Sequence, residues 1–168
     1  MSTFRAAPRH FLPADIVLPV RVLPEWGDAH GKVRIGLFTA PFDLAIDHFK
    51  DQLGFDQAWR DANHRSTVAL EARMSFRGEA RVGDELRVET RILEADEKRM
   101  HLAQQLCRYA EVLVMRESLA ISFDLQARRS CPFAEDILVN IRALHEAQRQ
   151  LAAWTWVGQQ PASIAALA

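Results

Sequence analysis

From Val68 to Leu125 the chain places an apolar residue at nearly every second position, through four successive stretches. Val68, Leu70, Ala72, Met74 and Phe76 alternate with Glu71, Arg73 and Ser75, and Leu86, Val88, Thr90 and Ile92 alternate with Arg87, Glu89 and Arg91. Residues 100–109 and 112–125 follow, the latter setting Leu119, Ile121, Phe123 and Leu125 against Ala120, Ser122 and Asp124. Because successive strand side chains point to opposite faces, this pattern predicts strands with one apolar face each. Polar turns separate them, at 78–84 and at E-A-D-E-K-R, so the expected arrangement is a four-stranded antiparallel meander. Such a sheet must cover its apolar face with something else.

The cover is written ahead of the strands. Phe38, Phe42, Ile46, Phe49 and Leu53 recur every three or four residues, which predicts a helix over 40–53 with one broad apolar face. Thr39 is the expected N-cap, Pro41 fits the first turn, Asp43 suits the positive helix end and Gly54 the stop. Residues 16–23, I-V-L-P-V-R-V-L, predict an edge or bulged strand, since Pro19 has no ladder donor. A short helical turn is expected over 57–61. After Pro132, the spacing of Ile137, Leu138, Ile141, Leu144 and Leu151 predicts a C-terminal helix over about 134–152, with Trp154 and Trp156 anchoring the tail. The order strand, helix, four strands, helix defines an α+β chain. Without repeats or linkers, it reads as one domain over 1–168, with its core over about 15–133.

Several function classes are excluded at this level. The 21 basic and 22 acidic residues nearly cancel, so no field recruits nucleic acid or an anionic membrane. Cys107 and Cys131 are too far apart for a C-x-x-C pair, which argues against a zinc site or disulfide framework and suits a reducing cytoplasm. The N-terminus M-S-T-F-R-A-A-P-R-H lacks an apolar export core, and no run of about 18 apolar residues occurs. A soluble, unexported, cytoplasmic protein is expected. No metal-ligand spacing, G-x-G-x-x-G, Walker loop or G-x-S-x-G elbow is present, so neither a metal nor a bound cofactor is expected.

One polar stretch stands out. E-W-G-D-A-H-G-K-V-R, residues 25–34, alternates Asp28, His30 and Lys32 beside two glycines just before the predicted helix. Asp28 can activate water or cap its own turn, and His30 can act as a base near neutral pH or lie idle on the surface.

Two longer stretches carry a family resemblance. R-V-G-D-E-L-R-V-E-T-R-I-L-E-A-D-E-K-R-M-H, residues 81–101, and S-F-D-L-Q-A-R-R-S-C-P-F, residues 122–133, resemble the hotdog-fold acyl-CoA thioesterases, and specifically the betainyl-CoA thioesterase-like branch associated with carnitine breakdown. The resemblance implies a single hotdog domain, a long central helix wrapped by a curved antiparallel β-sheet, here with a C-terminal helix added. In that branch the first turn reads like W-x-D-x-N-G-H-M-N. Here Trp26, Asp28 and Gly31 match, whereas His30 stands for Asn and Lys32 for His. The related 4-hydroxybenzoyl-CoA thioesterases place a catalytic carboxylate where His30 stands.

What the resemblance implies is hydrolysis of a small or cationic acyl-CoA by water attack, with Asp28 and His30 as catalytic residues. The substrate, with CoA as part of it, would meet Trp26, Lys32, the backbone N–H groups of Ile35 and Gly36, and His101. Trp26 is the candidate for a cation–π contact with a trimethylammonium group, whereas Phe38 and Phe42 are accounted for by the core. Lys98, Arg99, Arg128 and Arg129 are possible phosphate contacts. Glu79 and His101 also have plain readings, as an exposed hairpin glutamate and a satisfied strand histidine. The resemblance further implies a homodimer or homotetramer with its site at the subunit interface. The alternative reading is a non-catalytic hotdog module that binds an acyl thioester or a protein partner.

Overall fold

A computed structural model describes residues 7–159. The reading of the N-terminus as free of an export signal falls partly outside the described residues, as do both ends of the 1–168 span. Among the described residues six strands form one antiparallel sheet, β1 (Ile16–Arg21), β2 (Arg65–Phe76), β3 (Glu85–Ala95), β4 (Arg99–Arg108), β5 (Glu111–Asp124) and β6 (Arg129–Ser130). The helices are α1 (Thr39–Gln52), α2 (Gln57–Asn63) and α3 (Glu135–Gln148). No helix among the described residues is long and apolar enough to cross a membrane.

The sheet order is β1-β3-β4-β5-β2, with β6 beside β5. This corrects the expected meander. β3, β4 and β5 follow one another as predicted, but β2 pairs with β5 at the far edge, and residues 77–84 carry the chain back across to β3. The hairpin expectation failed because β1, from the start of the chain, already occupies the free side of β3. Pro19 sits in that edge strand opposite Arg87. The β3–β4 reversal is fixed by Asp96, which accepts the N–H groups of Lys98 at 2.9 Å and Arg99 at 2.7 Å and a 2.7 Å bond from the Arg99 side chain. These donors, that of Lys98 foremost, pull its carboxyl down to about 2.

α1 fills the concave face of the sheet. A 3₁₀ turn, Ile35–Phe38, runs straight into it, so Thr39 lies inside the helix rather than at its cap, and its hydroxyl donates to the Gly36 carbonyl at 3.1 Å. Gly54, at φ 76°, ends the run in a conformation costly for other residues. Two apolar clusters lie along the helix. Phe38, Phe42 and Ala45 meet Leu86, Val88, Leu106 and Val114 at its N-terminal end. Phe49 and Leu53 meet Ile92, Met100 and Leu102 at the other, where Ile137, Ile141 and Leu144 of α3 join them.

β2 breaks its own period. A bulge between Ala69 and Glu71 shifts the register, leaving Val68 41% and Leu70 56% exposed where the alternation predicts half-burial. The opposite edge is finished differently. Beyond the end of β1, the Gln148 side chain accepts the Ile92 N–H at 2.9 Å and donates to the Thr90 carbonyl at 3.2 Å, supplying the ladder bonds a further strand residue would make. The tail then crosses the outer face of the sheet. Trp154 stacks on Trp156 at 5.6 Å, Arg91 lies 4.2 Å above Trp154, and the Trp156 N–H donates to Gln105 at 3.2 Å.

Phe49 of α1 is fully buried in the cluster formed with α3 and the sheet. Phe49→Ala should therefore cost about 3–5 kcal/mol in denaturant unfolding. The half-exposed Leu44 on the same helix should cost only about 0.5 kcal/mol on truncation, and equal losses for the two would contradict this packing.

Candidate active site

The stretch 25–34 folds as a backbone-braced turn. Pro24–Trp26 makes one turn of 3₁₀ helix, Gly27 bridges to Val33, and the Asp28 N–H donates to the Lys32 carbonyl at 2.8 Å. Asp28 Oδ1 accepts two further amides, from His30 at 2.8 Å and Lys32 at 3.0 Å. Those amides, with that of Lys32 the stronger influence, hold the Asp28 carboxyl below the ordinary carboxylate range. Gly31 closes the turn at φ 74°, in the region that suits glycine.

The crossing segment 77–84 supports this turn from the side. Val33 N–H donates to Ala80 at 2.9 Å, Val82 N–H to Gly31 at 2.8 Å, and the Arg81 guanidinium to the His30 carbonyl at 3.3 Å. The Lys32 ammonium is bonded to Glu79, whose carboxyl that bond and charge hold low. Arg81 stands 4.0 Å from the same carboxylate. Glu79 is thus the partner of Lys32, across 47 residues of sequence, rather than a plain hairpin glutamate.

The fold brings Asp28, His30, Lys32, Ile35 and Gly36 together at the start of α1. Asp28 is half-buried, and among the described residues neither its second carboxylate oxygen nor the exposed His30 imidazole makes a hydrogen bond, although the charges of His30 and Arg34 act on the Asp28 carboxyl. The N–H groups of Ile35 and Gly36 also find no acceptor among the described residues, and both residues are exposed. Such orphan amides at a helix start carry partial positive charge and suit an oxyanion.

Two expected contacts lie elsewhere. Trp26 is only 8% exposed and packs with Val33, Phe38 and Ala80, so its ring forms part of the core beneath the turn and not an open aromatic cage. His101 is on the outer face near the start of β4, whereas its neighbours Met100 and Leu102 point to α1. There it lines a cleft of about 470 Å³, its Nε2 3.1 Å from Glu117, which also accepts the Gly158 N–H at 2.7 Å. Within one protomer, then, His101 stands away from the turn. The sequence reading missed another pair. Arg116 on β5 reaches Asp43 on α1 at 2.9 Å, and only the odd position of a charge in an apolar strand could have signalled it. No group of three or more His, Cys, Asp or Glu is gathered as metal ligands among the described residues.

Free amides at the start of a sheet-wrapped helix, beside a rigid polar turn, form a place where a developing oxyanion can be held. The family model of the thioesterase-like superfamily matches residues 22–141, and the chain belongs to that family. It is similar to a betainyl-CoA thioesterase of Pseudomonas aeruginosa, with 34% identity over 82% of this chain and 88% of that protein. A crystal structure from Pseudomonas putida matches with a TM-score of 0.77 at 30% identity, covering 91% of this chain and 99% of that one. A Staphylococcus aureus protein in complex with CoA has the same fold, with a TM-score of 0.83 at 19% identity over 92% of this chain and 99% of that one.

Because its folded pKa is lowered, Asp28 stabilises the turn above its unfolded pKa, and that contribution is lost as pH falls through the folded value. Amide exchange at His30 and Lys32, corrected for intrinsic rates, should accelerate as the pH is taken below the ordinary carboxylate range. In Asp28→Ala both amides should exchange fast at every pH. Protection unchanged in that variant would show that the carboxylate does not hold the turn.

Proposed function

We propose that this protein hydrolyses a small acyl thioester of coenzyme A, with a betaine-like cationic acyl group as the leading candidate. The observation that carries the reading is the pair of unpartnered amides, Ile35 and Gly36, beside the Asp28–His30 turn. The substrate carbonyl oxygen accepts from these amides. A water attacks the carbonyl carbon while Asp28 or His30 takes its proton, and the negative charge that develops on oxygen is held by the same donors. Collapse breaks the C–S bond, and the departing thiolate takes up the proton, leaving a free acid and the CoA thiol. The likeness to a betainyl-CoA thioesterase supports the acyl class, and with it a place in carnitine breakdown.

A homodimer, or two such dimers as a tetramer, fits the bare edge of β2, which exposes Val68, Leu70 and Phe76. A strand joined to its own copy by two-fold symmetry pairs antiparallel. That joining sets the Phe76 end of one protomer, which lies beside the start of α1, next to the Arg65 end of the other. The Arg65 end neighbours the β3–β4 turn, with Lys98, and the β5–β6 reversal, with Arg128 in its turn and Arg129 in β6. CoA phosphates could thus be met by the copy opposite the one that holds the carbonyl. Arg99 is the weaker candidate, since Asp96 already pairs with it.

The ion pair between Lys32 and Glu79 favours the second reading, a module that binds acyl-CoA without turnover, because it occupies a position where the family carries a site group. Thiol release from a panel of acyl-CoA esters separates the two. Asp28→Ala and His30→Ala together should lower the rate at least about a hundredfold with folding retained, and an unchanged rate would discard the hydrolytic assignment. Light scattering should give a dimer or larger, and Leu70→Arg should shift it towards monomer with loss of hydrolysis. A folded, active monomer at micromolar concentration would remove the interface site.

A further inference from the structure

The cleft of about 470 Å³ lies on the outer face, with the sheet itself between it and α1. Of the two bonded groups that line it, His101 keeps 34% of its side chain exposed and Glu117 only 10%. They are diagonal neighbours on β4 and β5, joined at 3.1 Å. Glu117 is fixed in turn by the chain around it. Its Oε1 accepts the Gly158 N–H at 2.7 Å, and its Oε2 faces both His101 Nε2 and, at 3.7 Å, the Arg73 guanidinium. An ionised carboxylate only accepts, so beside it the neutral imidazole carries its proton on Nε2. The lone pair is then on Nδ1, which makes no hydrogen bond among the described residues.

An imidazole held in this way has a free lone pair, an orienting carboxylate and room for a small molecule, which are the parts of an activated nucleophile. Arg73 stands beyond hydrogen-bond reach of Glu117, so its N–H groups are left for a developing oxyanion. Charge decides which acyl donors can enter. Glu71, Glu94, Asp96 and Glu117 line the cleft against two guanidinium groups, Arg73 and Arg99. The excess of negative charge repels the phosphates of CoA and leaves a small uncharged ester unopposed.

We infer that His101 is a second reactive centre, a nucleophile towards small uncharged esters, and that Glu117 is its positioning residue. Nδ1 attacks the ester carbonyl carbon, a C–N bond forms, and the C–O bond breaks with its electron pair going to the leaving oxygen. The acyl-imidazolium, still protonated at Nε2, pairs with Glu117. Water then adds to the acyl carbon, and the C–N bond returns its electrons to Nδ1. A free acid leaves, and one water proton passes to the departed alkoxide or phenolate. This chemistry is on the opposite side of the sheet from Ile35 and Gly36 and does not depend on the thioester reading.

The test is hydrolysis of p-nitrophenyl acetate by the full chain. Phenolate release should fall about tenfold or more in His101→Gln. Glu117→Gln should lower kcat at nearly unchanged KM, and Glu117→Asp should recover part of the loss. Brief exposure to the ester should leave a hydroxylamine-labile acetyl group on His101, located by mass spectrometry of the peptides. If Glu117→Gln does not fold, His101→Gln and the position of the acetyl group decide. An unaltered rate in His101→Gln, or an acetyl group on His30 instead, overturns the assignment. So does thiol release from acetyl-CoA that falls in His101→Gln as far as phenolate release does, because the cleft would then admit CoA.

Discussion

Burial of one face of α1 against the concave side of the sheet is the interaction on which everything else depends. Phe42, Ala45 and Phe49 are almost wholly removed from water, and the buried residues clustered with them come from four different strands, β1, β3, β4 and β5. Fully burying each large side chain is worth about 1.5–3 kcal/mol, so the helix ties together strands that are distant in sequence. The same packing fixes where the helix begins. Phe38, buried at the end of the 3₁₀ turn, holds the exposed Ile35 and Gly36 amides at the margin of the core.

The polar turn adds rigidity of another kind. Its bonds are mostly backbone to backbone, or backbone to a single Asp28 oxygen, so its shape depends little on the side chains of His30 and Lys32. That explains how the turn can depart from its family's usual residues without loss of fold. The Lys32 charge is compensated by Glu79 on the crossing segment, a carboxylate that Arg81 also approaches. The charge of Lys32 is balanced 47 residues away in the sequence.

Much of this was legible in the sequence. The periods of 3.6 and 2 located α1, α3 and β1 to β5 to within a few residues, because each face either meets the core or meets water, whereas the two-residue β6 is too short to show a period. The order of strands was less legible, since pairing of β2 with β5 is decided by competition with β1 for the side of β3 and not by any local turn. Thr39 was misplaced as a cap because hydrophobic spacing does not distinguish a 3₁₀ entry from a helix start. At the site, the type and spacing of Asp28, His30 and Gly36 could be read directly. The burial of Trp26, the outward direction of His101 and the Arg116–Asp43 contact could not, because each depends on which face of a strand or turn the core claims.

The Gln148 side chain has a consequence for how such a sheet can grow. With Pro19 lacking a donor on β1 and a glutamine amide filling the ladder beyond it, one margin of the sheet offers little for another chain to extend. The other margin, β2, remains available. A molecule with one blunted and one receptive edge can polymerise in neither direction: two copies that meet edge to edge spend the receptive edge of each, and growth stops. If copies associate through β2, the amide of one residue on a helix helps to keep that association finite and guards a β-rich protein against fibres.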